Sequence, residues 1–544
     1  MPDESSLDGG AAATPPRRRS GGAVAVAAGI FLSRIAGLVR ERVIAHYLGL
    51  SFAAAALRAA MRIPNLLQNL LGDAVLSASF IPVYARLLAE GRVEDARRVA
   101  HVIGTLLALV ATTIAALGVL AAGPLVDLLA PGFDDTTREL TVRLVQIMFP
   151  GTALLVMSAW CLGVLSSHRR FFLSYVSPVL WNAAIIAAAI VAGRRFVSGS
   201  GDDDIATWLA WGTVIGSAAQ FLVQLPMTIR LLRGLSPSLA AGDKGVRETL
   251  RAFVPVLIGR GSVQISAYVD QILASFLGEA ILAAMANAQT LYMLPISLFG
   301  MAISAAELPV MSATTGDADA RATAVQTRLR SSLRRVVFLV VPSAVAFVII
   351  GGSIVALLFE TGRFGARDTE IVWIVLAGSS LGLVASTVSR LFSSALYALG
   401  HPRSPLYAAL VRVAIGGVAG WAVVMPLREV LGYDVVWGAF GLTAAAGLAA
   451  WIEYALLQRS LTARIGKVPV LGKLMIGALL AAIVAGVLGY GAAHLAITEL
   501  GARGWQAALV AIPVFGAVYL GAMAAARVPE ASNLARRIAR RRGR

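Results

Sequence analysis

Fourteen apolar runs constrain this chain more than any other feature. They cover 22–47, 52–85, 99–127, 140–165, 171–193, 205–229, 252–277, 280–312, 336–359, 371–399, 405–427, 435–458, 474–497 and 505–526. Each reaches the ~20 residues a helix needs to cross a bilayer. Backbone in lipid must satisfy its own hydrogen bonds, so runs of this kind fold as helices. Composition agrees, with 58% of the 544 residues hydrophobic, 14% charged and a mean hydropathy of +0.77. A water-soluble chain does not reach that balance. The sequence therefore predicts an all-α polytopic membrane protein with about 14 transmembrane helices. Several runs exceed one crossing and hold Pro or Gly, so kinks are expected.

The net charge of +17 would suit nucleic acid if it formed a patch, but its distribution follows the membrane instead. With the amino terminus inside, the cytoplasmic segments carry thirty-one Lys and Arg and the opposite loops carry eight. That is the positive-inside bias, and it puts both termini in the cytoplasm. The start, "MPDESSLDGGAAATPPRRRS", reads as a disordered cytoplasmic tail without the apolar core or cleavage site of a signal peptide. The tail "ARRIARRRGR" reads as a topology anchor able to touch anionic lipid headgroups. Cys161 is the one cysteine, which excludes an intramolecular disulfide.

An internal duplication organises the spans. "VIAHYLG" from Val43 aligns with "ILASFLG" from Ile272, and each is followed by an alanine-rich helix and a proline, Pro64 or Pro295. Six spans separate the copies, so the halves run in the same direction, as in transporters whose two bundles rock about a central site. The expected organisation is a tail at 1–21, a first lobe at 22–230, a second lobe at 247–460, two further helices at 470–527 and a basic tail at 528–544. The two six-helix lobes would form a V-shaped central cavity. The last two spans are rich in small residues, which permit close helix packing, or a lipid-facing groove.

Charges inside spans cost ~2.5–3.5 kcal/mol each on insertion scales and mark function by default. Arg34, Arg40, Arg58, Arg62 and Asp73 lie in the first two spans, Arg260 and Asp270 in the seventh, and Arg390 and Arg412 further on. Arg58, Arg62, Asn65, Asn69 and Asp73 form one polar stripe on a helix. Four arginines against one or two acids leave surplus positive charge, and the guanidinium fork suits phosphate oxygens. Arg34 and Glu41, seven apart, share a face and suggest a pair. Glu41, Arg42 and Glu453 lie near helix ends and read as snorkelling or topology residues. There is no G-x-x-x-x-G-K-[ST] loop, no metal-ligand spacing among the five histidines, and no Ser/His/Asp set in the membrane. The chain reads as a transporter rather than an enzyme, with no cofactor and no metal.

The strings "FLSRIAGLVRERVIAHYLG" and "RIPNLLQNLLGDAVLSASFIPVYARLL" closely resemble the MurJ (MviN) family of lipid II flippases. So do "VQISAYVDQILASFLGEAILAAMANAQTLYMLPISLFGMAISAAELPVMS" and "SSALYALGHPRSP". The wider superfamily also holds drug/cation antiporters and polysaccharide-unit flippases. The resemblance implies a V-shaped bundle that moves undecaprenyl-pyrophosphate-linked peptidoglycan precursor from the cytoplasmic to the periplasmic leaflet of a bacterial inner membrane. It implies a role in cell-wall biogenesis and cell shape, with the wall-synthesis machinery as a candidate partner. The last two spans would then hold the polyprenyl tail.

Carried over by position, Arg34 and Arg40 fall on essential arginines of the family and Asn65 on its PN motif. The substrate-binding candidates are these three with Arg58, Arg62, Gln68, Asp73, Arg260 and Gln289. Pro64, Gly72 and Pro295 are hinge candidates. Ala55, Gln68 and Thr290 are neutral where the family is usually charged, and Arg58 and Arg62 are candidates to compensate. Asp270 falls on a position linked to sodium in some members, and Arg412 is a candidate to stand in for that cation. Membrane potential and Na+ are the candidate couplings. The competing readings are an exporter of another amphiphile or an organic cation, and a non-transporting cell-wall scaffold.

Overall fold

The computed structural model describes residues 21–195, 201–240, 242–301, 303, 318–468 and 472–532. Within them the chain forms nineteen α-helices, two π turns and no strand. The first half holds α1 (Gly21–Leu48), α2 (Phe52–Leu71), α3 (Asp73–Ala89), α4 (Val93–Leu120), α5 (Ala122–Leu129), α6 (Asp135–Ser167), α7 (Phe171–Arg195) and α8 (Asp202–Leu232). The second holds α9 (Lys244–Ser275), α10 (Glu279–Pro295), α11 (Ala318–Ile349), α12 (Gly351–Phe359), α13 (Ala366–Ser380), α14 (Leu383–Ala398), α15 (Arg403–Ala422), α16 (Arg428–Leu431) and α17 (Val435–Ile465). Then come α18 (Gly472–Leu500) and α19 (Gly504–Ala525).

The predicted runs fall on helix wherever their residues are described, the run 280–312 being described only to 301 and at 303, and the count of 14 is not reached by length and apolarity alone. Among the described residues 11 helices are long and apolar enough to span a membrane, or 12 if the bent pair α13–α14 is one span. Runs read as single crossings are interrupted. The second breaks at Gly72 into α2 and α3, the third at Ala121, the ninth at Ile350, and the tenth is bent by 44° between Ser380 and Leu383.

Polar residues at the ends of the runs start the helices. Ser51 Oγ accepts from Ala54 N, Asp134 Oδ1 accepts from Thr137 N, and Asp243 Oδ1 accepts from Gly245 N. Each satisfies a first-turn N–H that lipid would leave bare. Small residues then set the packing. A Cβ on Gly216 would lie 2.8 Å from Trp181 O, and one on Gly151 would lie 3.2 Å from Ser217 Oγ. These contacts hold α6, α7 and α8 close together. The last two helices, α18 and α19, pack on each other and on α11 and α12. Ala478, Ala482 and Ala485 meet Phe338 and Val341 there, and Tyr519 Oη donates to Phe338 O at 2.8 Å.

The duplication is visible as paired contacts between the halves. Arg42 Nη1 donates to Leu358 O at 2.8 Å, and Gln271 Nε2 donates to Leu129 O at 3.4 Å. His46 Nδ1 lies 2.9 Å from Thr361 Oγ1, and Gly132 N donates to Ser275 Oγ at 3.1 Å. In both cases the second contact is the first with its residues moved to their repeat equivalents, 229 positions along. Arg58 Nη2 donates to Asn287 Oδ1 at 3.0 Å across a separation of 229. Those two residues are each other's equivalents, so this bond lies on the pseudo-two-fold axis relating the halves. The helix breaks at Ala121 and Ile350 share the same offset.

Gly49 and Gly278, also equivalents, turn the chain at one end of this interface with φ of +57° and +100°. A side chain at Gly49 costs about 1–2 kcal/mol in left-handed strain, and Gly278, with ψ of 167°, lies in a region essentially confined to glycine, where a side chain costs about 1–3 kcal/mol. A Cβ on Gly278 meets nothing within 4 Å, whereas one on Gly49 comes to 3.1 Å of Arg363 O. Gly278→Ala is expected to destabilise the protein by about 1–3 kcal/mol from backbone strain alone, and Gly49→Ala by about 1–2 kcal/mol of strain plus the displacement of Arg363 O. Thermal unfolding of the two purified variants in detergent checks both losses.

Candidate functional site

Buried charge gathers where the two halves meet. Glu41, on α1, is 4% exposed. Arg40 Nη2 approaches its Oε1 at 2.5 Å, and Arg58 of α2 closes on its other oxygen. The Arg40 guanidinium also lies over the Trp181 ring, 4.8 Å from its centroid, a cation–π contact that strengthens when water is excluded. Arg58 continues to Asn287 of α10. One carboxylate thus holds two cations, and one of those cations ties the first half to the second.

A second cluster sits at the repeat equivalent of Glu41, which is Asp270. Arg62 and Arg412 are the cations that act on its carboxylate. Arg412 Nη1 donates to Glu453 Oε2 at 3.0 Å, and Glu453 is 9% exposed. Tyr268 Oη donates to Arg62 O at 3.1 Å, fixing α9 against α2. Asp270 and Arg412 line a small cleft of about 10 Å³, room for about one water molecule, with Val269, Val413, Gly416 and Ala449.

Three sequence expectations are corrected here. Glu41 and Glu453 do not snorkel to water; both are buried and ion-paired, because an unpaired carboxylate at that depth costs far more than a paired one. Arg42 reaches the other half and donates to Leu357 O and Leu358 O at 2.7 and 2.8 Å, capping orphan carbonyls at the end of α12. Arg34 does not pair with Glu41; it is exposed on α1 and has no ion pair among the described residues.

The other candidates are spread along the same helices. Asn65 lines a small cleft of about 10 Å³ inside the first lobe, room for about one water molecule. Gln68 is half-buried on α2, where its carbonyl accepts from Gly72 N at 2.8 Å, and Gln289 is exposed on α10. Gly72 separates α2 from α3, and Pro295 ends α10 just before a π turn at Ile296–Met301. The backbones at Pro64, Asp73 and Arg260 are helical, while their side chains lie outside the described residues. Glu307 and both predicted tails up to Ser20 and from Asn533 lie outside them as well. No group of His, Cys, Asp and Glu able to hold a metal occurs among the described residues.

Sequence reasoning missed Asn287, Trp181 and the roles of Glu41 and Glu453. The repeat offset was the available signal, since it links Arg58 to Asn287 and Glu41 to Asp270. Glu41→Gln keeps the volume and leaves two guanidiniums without their carboxylate. Breaking a buried pair in this way costs about 3–5 kcal/mol. Glu90→Gln, at the exposed Arg86–Glu90 pair, is expected to cost about 0–1 kcal/mol. Unfolding midpoints of the two variants in one detergent decide this.

Comparison with known proteins places this arrangement. The family profile "Lipid II flippase MurJ" matches residues 44–511. A relative from Burkholderia cenocepacia, "Lipid II flippase MurJ", is 30% identical over 448 residues, covering 81% of this chain and 83% of its own. "Probable lipid II flippase MurJ" of Rhizobium tropici is 28% identical over 434 residues, covering 79% and 78%. Among solved structures, "Lipid II flippase MurJ, inward closed conformation" superposes with a TM-score of 0.73 at 20% identity, over 92% of this chain and 98% of that one. An inward-facing multidrug resistance transporter of the MATE family follows at 0.64 and 18%, over 81% and 98%. The two solved structures speak for the fold alone, and the profile and the sequence relatives for the family. The chain belongs to the MurJ family of lipid II flippases, transporters rather than enzymes.

Proposed function

We propose that this protein flips undecaprenyl-pyrophosphate-linked peptidoglycan precursor across the bacterial inner membrane by alternating access, with its cavity arginines holding the pyrophosphate. Family membership supplies the substrate. The observation that supports the arginine assignment is the charge balance within the spans. Six arginines in mid-span (Arg34, Arg40, Arg58, Arg62, Arg390 and Arg412) face three carboxylates (Glu41, Asp270 and Glu453) among the described residues. Such a surplus is costly in lipid until an anion joins it.

Arg34 and Arg40 are six residues apart on α1, about 9 Å along the axis. Arg34 is the exposed one, and it offers the first phosphate contact. Deeper in, a pyrophosphate competes with Glu41 for Arg40 and Arg58. Taking Arg58 from its partners also loosens its bond to Asn287, so binding the headgroup weakens the joint between the lobes. Gln68 and Gln289 are placed to bond sugar or peptide groups. Positive-inside charge puts both termini in the cytoplasm and the α1–α2 turn on the periplasmic side. The paired contacts of His46, Arg42, Gly132 and Gln271 then close the periplasmic end. The flank of α18 and α19 on α11 and α12 offers a course for the polyprenyl tail.

The inside-negative potential favours outward movement of an anion by about 2.3 kcal/mol per charge per 100 mV. Arg412 already supplies a cation between Asp270 and Glu453, so the second cluster has no need of Na+. Flipping by the purified protein in vesicles is expected to be the same in sodium and potassium salts. A strict sodium requirement would overturn that assignment. Arg34→Ala and Arg40→Ala are each expected to abolish rescue of cells depleted of their own flippase. Normal growth with either variant at wild-type expression would remove the arginine site.

A further inference from the structure

The link between α8 and α9, residues 233–243, joins the two halves of the chain. By sequence it is an aqueous loop, since the apolar runs on either side end at 229 and resume at 252. Its path is different. Arg233 caps α8 with φ of +57° and Gly234 follows at +115°, and two positive φ values in succession turn the chain back along the bundle. His101 Nε2 lies 3.2 Å from Gly234 O, and Ser238 N donates to Thr105 Oγ1 at 3.1 Å. Thr105 is one turn further along α4 than His101, about 6 Å. It lies six residues inside the apolar run 99–127, about 9 Å along the helix axis. Further on, Asp243 Oδ2 is 3.8 Å from Arg98 Nη1, and a Cβ on Gly245 would lie 2.7 Å from Val99. The chain thus leaves α8 level with His101, dips to Thr105, and is back beside Val99 when α9 begins.

The backbone of the dip suits a place short of water. Pro237 has no N–H, Ser238 N is bonded to Thr105, and Ala240 N donates to Ser238 Oγ at 3.4 Å. Arg98, His101 and Thr105 lie on one stripe of α4, and the next residue of that stripe, Leu109, is 52% exposed. The face that carries the loop is therefore the face that meets lipid one turn deeper. Leu235 and Leu239, on either side of Pro237, are 49% and 62% exposed, so the chain itself leaves much of their surface uncovered. Arg98, Arg230 and Arg233, around the start and end of the loop, are exposed as well. Apolar side chains at the acyl boundary with arginines at the rim complement a leaflet of anionic headgroups.

We propose that residues 233–240 are a membrane clasp. Leu235 and Leu239 insert at the boundary of headgroups and acyl chains, and Arg98, Arg230 and Arg233 hold anionic phospholipid headgroups. The clasp fastens the joint between the lobes to one leaflet, the cytoplasmic one in the orientation proposed above. The insertion itself rests on the path along α4 and not on the transported lipid.

Full-length protein in nanodiscs tests this, with Cys161→Ser so that a fluorophore attaches only to introduced cysteines. The label is placed on Leu239→Cys, on Glu94→Cys two turns out from His101 as the aqueous reference, and on Leu109→Cys as the lipid reference. Lipid with a nitroxide on its acyl chain is expected to quench the Leu239 label about threefold or more above the Glu94 label, towards the Leu109 value. Quenching no greater than at Glu94 would place the loop in water, open to a soluble protein instead, and overturn the clasp. The headgroup half is read with the nitroxide on phosphatidylglycerol or on phosphatidylcholine at equal mole fraction. The anionic lipid is expected to be enriched about fivefold around the Leu239 label. That preference should fall to about twofold or less in Arg230→Gln with Arg233→Asn, where Asn keeps the left-handed turn. Equal quenching by the two lipids, or a preference that survives the double substitution, would overturn the headgroup site.

Discussion

The structure depends on how charge is kept inside a low-dielectric bundle. A lone carboxylate or guanidinium in mid-membrane is untenable, and each one described in the interface is answered by a neighbour. Glu41 takes Arg40 and Arg58, Glu453 takes Arg412, and Asp270 stands within reach of Arg62 and Arg412. Removing one member leaves the others exposed to the same penalty, so the cluster acts as a unit. It ties α1 to α2, α2 to α10, and α15 to α17. These ties fix the helices where the two halves meet.

Duplication explains why the joints come in pairs, and divergence explains why the pairs are unequal. Arg42 and Gln271 hold equivalent carbonyls, yet one is charged and the other neutral. Glu41 and Asp270 are equivalent acids, but the first is satisfied within its own half, whereas the second is approached by Arg62 from across the interface. At the axis, where a residue must meet its own equivalent, two arginines would repel and two asparagines would leave Glu41 with one cation fewer. Arg58 with Asn287 solves both problems. Drift after duplication thus gave each lobe a different chemistry on a shared geometry.

The helices and the repeat were legible in the sequence because each rests on a local or one-dimensional signal. Apolar length marks a span, basic loops mark a side, and YLG against FLG marks the copies. Boundaries within spans were less legible. Gly123–Pro124 and Gly351–Gly352 follow Ala121 and Ile350 closely and are breaker dipeptides, but the apolar run continues through both, and a hydropathy profile does not register where the helix turns. The charges were misjudged for a related reason. A hydropathy profile gives depth along one helix, and by that measure Glu41 and Glu453 sit near ends. Their partners come from other helices, and one-dimensional depth carries no information about those.

The contacts that close one end of the interface are of a kind that can be undone. Most are hydrogen bonds with at most one charged partner: Arg363 N to His46 O at 2.9 Å, Thr137 Oγ1 to Glu279 Oε1 at 3.1 Å, Arg42 Nη1 to Leu358 O at 2.8 Å, and the His46–Thr361 and Gly132–Ser275 contacts. Only the Arg363–Asp202 pair among them joins full charges, and Arg363 is half exposed. At about 1 kcal/mol net for each hydrogen bond, this seal is worth several kcal/mol in all. Moving a two-state equilibrium from 1:99 to 99:1 takes about 5.5 kcal/mol. The two quantities are of the same order, so on the proposed reading a doubly charged headgroup held by two or three arginines supplies enough differential binding to shift the lobes. A seal of buried ion pairs would have been too strong for that, and a purely apolar one would have lacked register. Polar contacts set in apolar helices give both, and the repeat supplies them at two places equidistant from the axis.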